Sequence, residues 1–548
     1  MQHIGKRRSE CEHSISRKLK RKGDLQLNRS LLRPCSRVLP RFIPSALAML
    51  FVLASSCALA AKFPRLYIPD QRYRYSEADT PCSRQNLCYS NRELGEGLHR
   101  YSLNFVEYRD NGELFDQAEL DAALTQLDNA RKTGQHVIVF IYIHGWHNNA
   151  GERKNDLKKK NCSDNLYDGD VAKFEYCGLQ VIADKYPSTP GAKAPRVVGI
   201  YLAWHGEDFT PWAAVIPYYV PSYIFRRHYA YKIGQTGMEK GLQQILYIIQ
   251  QHRRSYFVIA MGHSFGARAL ENADLMLDPK YPKPLYSSGP NADSQSPTPQ
   301  PALGLPPSSD MQAQISTNFS EEPQLLPPQV PLSQLPESEL PIDLVFYVNA
   351  ATSSYRTVKV INDWNDKCNG SPRPDDCRQD PLYFAVSSRA DVLTAIVMPI
   401  ANLVFPAWST DRFHIISAAN TPWMQTHSLP RRILAAPETL APDAFCFMTT
   451  DGSNKYLYEV EPKDGRSQKR FWVMNSDHRY AALEGMLHKI PFLRRAVRHD
   501  WIISAHGDVW NRSVFNMIYA LIETQQTPSN KRQAKCYEET KGMQFVMQ

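Results

Sequence analysis

Residues 255–270, SYFVIAMGHSFGARAL, constrain the chain more than any other stretch. Tyr256 to Met261 is a mostly apolar run and reads as a buried strand. It passes directly into Gly262-His263-Ser264-Phe265-Gly266 and then into good helix formers, Ala267 to Leu277. A strand that turns into a helix about one serine puts that apex into a strained conformation. It leaves no room for a side chain at the flanking glycines. The hydroxyl is lifted above the sheet edge, beside a helix N-terminus whose partial positive charge favours a developing oxyanion. Gly-x-Ser-x-Gly alone recurs by chance; between a strand and a helix it points to a nucleophile. The competing reading is an ordinary glycine-rich turn.

Other apolar runs supply the rest of a sheet. Asn104–Tyr108, His136–Ile143, Val197–Trp204, Ile342–Val348, Leu382–Val386 and Arg470–Asn475 read as strands. Several have no polar break, as in a parallel sheet covered on both faces. Helical spacing is expected over Phe115–Lys132, Val171–Tyr186, Gly234–Arg253 and Val509–Glu523, with a polar loop at 363–380 and a helical insertion at 479–499. Residues 211–231 are rich in aromatics, among them Trp212, Tyr218, Tyr219, Tyr223, Phe225, Tyr229 and Tyr231. They read either as a lid or acyl-pocket wall, or as plain packing over the sheet.

A serine at neutral pH needs a base to take its proton, and the base needs an acid to fix its tautomer. Asp391, in Ser387-Ser388-Arg389-Ala390-Asp391, follows a later strand and is the candidate acid. Asp363 and Asp366 are its rivals, and capping a helix is its structural alternative. His506, in Ser504-Ala505-His506-Gly507-Asp508, is the candidate base; His478, closer to the last strand, is the alternative. His136–Ile143 ends in His144-Gly145-Trp146-His147. Gly145 lets the backbone turn so that the Trp146 N–H points toward the serine, and His144 reads as orienting that loop rather than handling a proton.

Charge narrows the partners. The first 41 residues hold 12 Lys/Arg against 3 Asp/Glu, and the rest of the chain 52 against 52. The body thus has no cationic field for nucleic acid. Phe42–Ala61 is a 20-residue stretch without charge, preceded by basic residues and ending in small ones. It reads as an export signal cut near Ala58-Leu59-Ala60, as an uncleaved membrane anchor, or as a lipobox ending at Cys57. The destination is periplasmic, outer-membrane or secreted in the first and third cases. Eight cysteines follow: Cys82/Cys88, Cys162/Cys177 and Cys368/Cys377 as neighbours, with Cys446 and Cys536 left over as a long-range bridge. Short-range disulfides in an oxidising compartment are expected, and no pair has the C-x-x-C spacing of a zinc site. Fourteen of the 39 prolines fall between Pro282 and Pro341 amid Ser and Gln, which reads as a disordered insertion.

Together HGWHNNA, GHSFGA, SSRADVL and HGDVWN resemble the α/β-hydrolase superfamily, most nearly a branch of bacterial secreted or membrane-associated serine hydrolases. The resemblance covers about residues 100–280 and 340–523. It implies an α/β fold with a central, mostly parallel sheet flanked by helices, and esterase-type chemistry on a small-molecule or lipid ester. Ser264 is then the nucleophile, Asp391 the acid and His506 the base, with the Trp146 and Phe265 amides as oxyanion hole. No cofactor or metal is implied. The organisation expected is a basic and apolar leader (1–61), an irregular extension (62–100), two halves of one domain (101–280 and 342–523) around the insertion (281–341), and a polar tail (524–548). A transacylase or lipase using the same triad, and a catalytically silent envelope interaction protein, remain as alternatives.

Overall fold

Eight strands lie side by side in one sheet, and every neighbouring pair is parallel. The structure is a computed structural model. It describes residues 101–150, 170–186, 194–206, 216–273, 342–370 and 383–388, with shorter pieces between 391 and 475, and 509–510 and 512–526. The described residues apart from Ile216–Pro221 belong to one compact unit.

The strands are β1 (Tyr101–Tyr108), β2 (Val137–Ile143), β3 (Arg196–Trp204), β4 (Tyr256–His263), β5 (Leu344–Val348), β6 (Tyr383–Ser387), β7 (His427–Ser428) and β11 (Phe471–Asn475), in the order β1-β3-β2-β4-β5-β6-β11-β7. β8 (Arg431–Arg432), β9 (Phe445–Asp451) and β10 (Asn454–Val460) form a separate antiparallel sheet. The helices are α1 (Gln117–Lys132), α2 (residues 170–184, with a π segment at Phe174–Leu179), α3 (Ile216–Ile233), α4 (Glu239–Gln251), α5 (Phe265–Asn272), α6 (Ser354–Gly370) and α7 (Arg512–Gln526).

Alternation along β2 shows why the sheet needs cover on both sides. Val139, Ile141 and Ile143 join a core with Leu120 and Leu127 of α1, Leu242 and Ile245 of α4, and Phe265 of α5. Ile138, Phe140 and Tyr142 join the opposite core with Phe174 and Leu179 of α2, Phe515 and Ile518 of α7, and Phe447 and Tyr458 of the small sheet. Successive side chains point to opposite faces, so a strand apolar at every position is stable only between two layers.

This layering positions a crevice. From β2 the chain crosses through α2 on one face to β3; from β4 it leaves through α5 on the other. Adjacent strands whose connections depart to opposite faces leave a cleft at their carboxyl ends, where ligands bind in such sheets. The strand ends are in step: Ile143 pairs with Gly262, Gly262 with Tyr347, Tyr347 with Ala385, and Ala385 with Val473.

The sheet agrees with the sequence expectation of a central, mostly parallel sheet flanked by helices. The polar loop expected at 363–380 does not begin there. α6 runs on to Gly370, because NDWNDKCN contains no Pro or Gly to stop a helix that Val360 has docked. The strands of the small sheet were not expected. The insertion at 281–341, the leader with residues 42–61 and Cys57, and the stretch 479–499 lie outside the described residues. Among the described residues no helix is long and apolar enough to cross a membrane. Cys177 and Cys446 are disulfide-bonded; Cys162 and Cys536, their expected partners, are not among the described residues.

Candidate active site

Ser264 sits at the end of β4 with φ 54° and ψ −116°, a conformation that residues with a side chain seldom adopt. Three hydrogen bonds hold it. Its N–H donates to the Val348 carbonyl (3.0 Å), and its own carbonyl accepts from Ala351 N–H (3.1 Å) and Arg268 N–H (3.3 Å). It is the N-cap of α5, yet its side chain makes no capping bond, so the hydroxyl is not committed to the helix end. The Phe265 N–H belongs to the first helical turn, where backbone donors have no partner within the helix.

The flanking glycines are required by contact. A Cβ on Gly262 would lie 2.5 Å from Ala267 Cα, and one on Gly266 would lie 2.1 Å from the Ile143 carbonyl oxygen. Gly145 faces the serine itself, since a Cβ there would lie 2.9 Å from Ser264 Cβ and 3.0 Å from His263 O. The loop after β2 therefore lies directly against the serine turn.

That loop is braced on the far side. His147 N–H donates to the Gly206 carbonyl (2.9 Å), and Gly206 N–H donates to Asn148 O (3.2 Å). His144 is fully buried. Its Nε2 accepts from Trp204 N–H (3.0 Å), so Nδ1 carries the proton and donates to Gly145 O (2.9 Å). Its ring lies parallel to Trp204, and Trp204 Nε1 donates to the His144 carbonyl (3.0 Å). Burial holds the imidazole below its ordinary pKa. With both nitrogens engaged, His144 fixes the loop.

Asp391 is fully buried. Its Oδ1 accepts from Thr394 N–H (3.2 Å) and its Oδ2 from Thr394 Oγ1 (2.5 Å), which is the capping geometry. A chain of contacts links it to the serine turn. Asp391 N–H donates to Ser388 O (3.1 Å), Ser388 N–H to Asn349 Oδ1 (3.0 Å), and Asn349 follows Val348, which accepts from Ser264. The rivals Asp363 and Asp366 fall inside α6, about 14 and 18 Å along its axis from the start. His478 and His506 lie outside the described residues. Among the described residues, the non-glycine residues with positive φ are His147, Ser264 and Asn349, each in a loop leaving the carboxyl end of β2, β4 or β5.

One side chain here carried no individual signal in the sequence. Tyr223, on α3, packs edge-on to the Trp146 indole (5.4 Å between centroids, 79°) and against Phe265 (4.9 Å, 47°). Trp146 Nε1 donates to Ser222 Oγ (3.1 Å) from the same helix. α3 is tied down by Arg226, whose guanidinium donates to Asp110 Oδ1 (2.6 Å) and to the His205 carbonyl. Burial raises the Asp110 pKa, but His205 and Arg226 outweigh it and hold the carboxyl below its ordinary value. Among the described residues no group of three or more His, Cys, Asp or Glu is placed to hold a metal ion.

These features define an α/β protein with a strained, glycine-flanked serine at the switch point of a parallel sheet. No family model matches the chain, and no curated protein matches it. Among solved structures it is similar to phospholipase PlaB from Legionella pneumophila in complex with thio-NAD. The identity is 10% and the TM-score 0.20, over 71% of this chain and 63% of that one. The chain thus spans less than two thirds of that protein's length.

Proposed function

We propose that the protein is an exported serine hydrolase of the α/β-hydrolase type that cleaves carboxylic esters through an acyl-enzyme. Ser264 Oγ attacks the ester carbonyl carbon while His506 takes the hydroxyl proton. The Trp146 and Phe265 N–H groups stabilise the resulting oxyanion. The intermediate collapses, His506 gives the proton to the departing alkoxide, and the alcohol leaves. Water then attacks the acyl-enzyme with His506 again as base, which releases the acid and restores Ser264. Asp391 holds the imidazole tautomer.

The observation that carries this reading is the left-handed backbone of Ser264, held by glycines with no space for a Cβ and abutted by Gly145. Backbone strain of this kind persists where the surroundings enforce it, and it clusters at reactive sites. For the base, Trp510 packs edge-on to Tyr142 (4.6 Å between centroids), one residue before the end of β2. His506 lies four residues before Trp510, a reach of at most about 14 Å. His478, three residues past β11, is the alternative. Disulfide bonding at Cys177 and Cys446 supports an oxidising compartment.

The test uses the purified protein, a chromogenic short-chain ester and a fluorophosphonate probe. Wild type is expected to turn over the ester and take the label, and Ser264→Ala to do neither, with kcat down by about 10⁴ or more. Equal turnover or labelling in the variant overturns the proposal.

A further inference from the structure

Tyr223 is 3% exposed, and among the described residues its hydroxyl has no hydrogen-bond partner. Burying a hydroxyl unpaired costs stability, and phenylalanine would fill the same space without that cost. The ring packs on Trp146 and Phe265, the two residues whose amides form the proposed oxyanion hole. The charges of Arg227, Arg268 and Asp391 also act on its phenol. Burial, the largest effect, pushes the phenol up to about 12. It therefore keeps its proton at any working pH and can donate. Other aromatics on α3 are placed differently: Phe225 is exposed, and Tyr229 and Tyr231 stack with arginines.

We propose that the Tyr223 hydroxyl is a side-chain donor to the substrate's carbonyl oxygen, completing its hydrogen bonds as it becomes an oxyanion. The partner missing from the protein is then supplied by the substrate. This rests on the serine-hydrolase reading and adds a residue to it. A donor aimed at charge that develops in the transition state acts on kcat more than on KM.

The experiment compares wild type, Ser264→Ala and Tyr223→Phe for melting temperature, ester kinetics and rate of fluorophosphonate labelling. Tyr223→Phe is expected to melt no lower than wild type while kcat falls on the order of 100-fold at similar KM. Labelling of Ser264 should slow with it, because phosphonylation uses the same oxyanion site. A Tyr223→Phe protein with wild-type kcat and labelling, beside an inert Ser264→Ala, overturns the role of Tyr223 and leaves the serine reading intact. Labelling undiminished in Ser264→Ala overturns both. Should Tyr223→Phe melt lower, difluorotyrosine at the same position keeps ring and hydroxyl but ionises at lower pH. Its kcat should then fall at lower pH than that of wild type, and an unmoved pH profile overturns the proposal.

Discussion

Gly145 and Gly266 both lie beside Ser264, yet replacing them should fail in different ways. A Cβ at Gly266 meets backbone oxygens of Ile143 and His144, at 2.1 and 2.5 Å, in the middle of the fold. Neither can move without disturbing β2. Gly266→Ala is expected to lower stability by about 3 kcal/mol or more, seen as a lower denaturation midpoint. At Gly145 the added carbon meets Ser264 Cβ, His263 Nδ1 and His263 O at 2.9–3.0 Å, contacts that call for smaller shifts than those at Gly266. Gly145→Ala should fold and lose ester turnover by about tenfold or more, as small displacements at a reacting group do. A Gly145→Ala enzyme with wild-type kcat/KM would show that this loop does not shape the reaction. The serine turn was legible in the sequence because glycine spacing is a direct record of contact. Tyr223 was not, since seven aromatics in 211–231 look alike in sequence. What distinguishes it among the described side chains of that stretch is a missing partner, a three-dimensional property. The choice between His506 and His478 was open in the sequence for the same reason: both follow late strands, and proximity to Ser264 is not written in spacing.

At the scale of elements, the strands were legible because burial on both faces forces unbroken apolar runs. Ends were less so. β4 continues through Gly262 and His263, where apolar content stops but pairing with β5 does not. The strands of the small antiparallel sheet were not legible because sequences such as NKYLYEV mix charged and apolar residues without an unbroken apolar run. Non-local charge pairs are equally hidden. Asp343, just before β5, accepts from Arg253 (2.6 Å) and from Val258 N–H (2.7 Å), while Arg253 also donates to Tyr256 O (2.8 Å). One carboxylate thus fastens the start of β5 to the start of β4, across the whole stretch between them in sequence. Both side chains are largely buried, so removing one strands the other's charge. Asp343→Ala is expected to cost about 3–5 kcal/mol in urea denaturation at pH 7. A loss below about 1 kcal/mol would mean that the pair contributes no more than an exposed one.

At the scale of the whole molecule, two buried groups make stability depend on pH with opposite signs. Glu271 on α5 accepts from Thr352 and Thr357 Oγ1 (3.2 Å for the latter), and burial raises its pKa from 4.5 to about 7. Between those values the unfolded chain has released the proton and the folded one retains it. Its contribution is therefore full below pH 4.5 and is lost as pH rises through 7, by roughly 3 kcal/mol. His427 in β7 lies against Trp472, and burial lowers its pKa from 6.5 to about 4. There the unfolded chain binds a proton that the folded chain refuses. That contribution is full above pH 6.5 and is lost as pH falls through 4, again by roughly 3 kcal/mol. From pH 4.5 to 6.5 the two slopes oppose each other, so wild type conceals both. Neither was legible in the sequence, where Glu271 is one polar residue in a helix and His427 one in a polar stretch. Glu271→Gln removes one slope, and its melting temperature relative to wild type is expected to rise steadily from pH 4.5 to 7. His427→Gln removes the other, and its relative melting temperature should rise as pH falls from 6.5 to 4. Thermal melts of the three proteins across that range decide the matter, because profiles that run parallel to wild type would mean that neither group changes its protonation on folding.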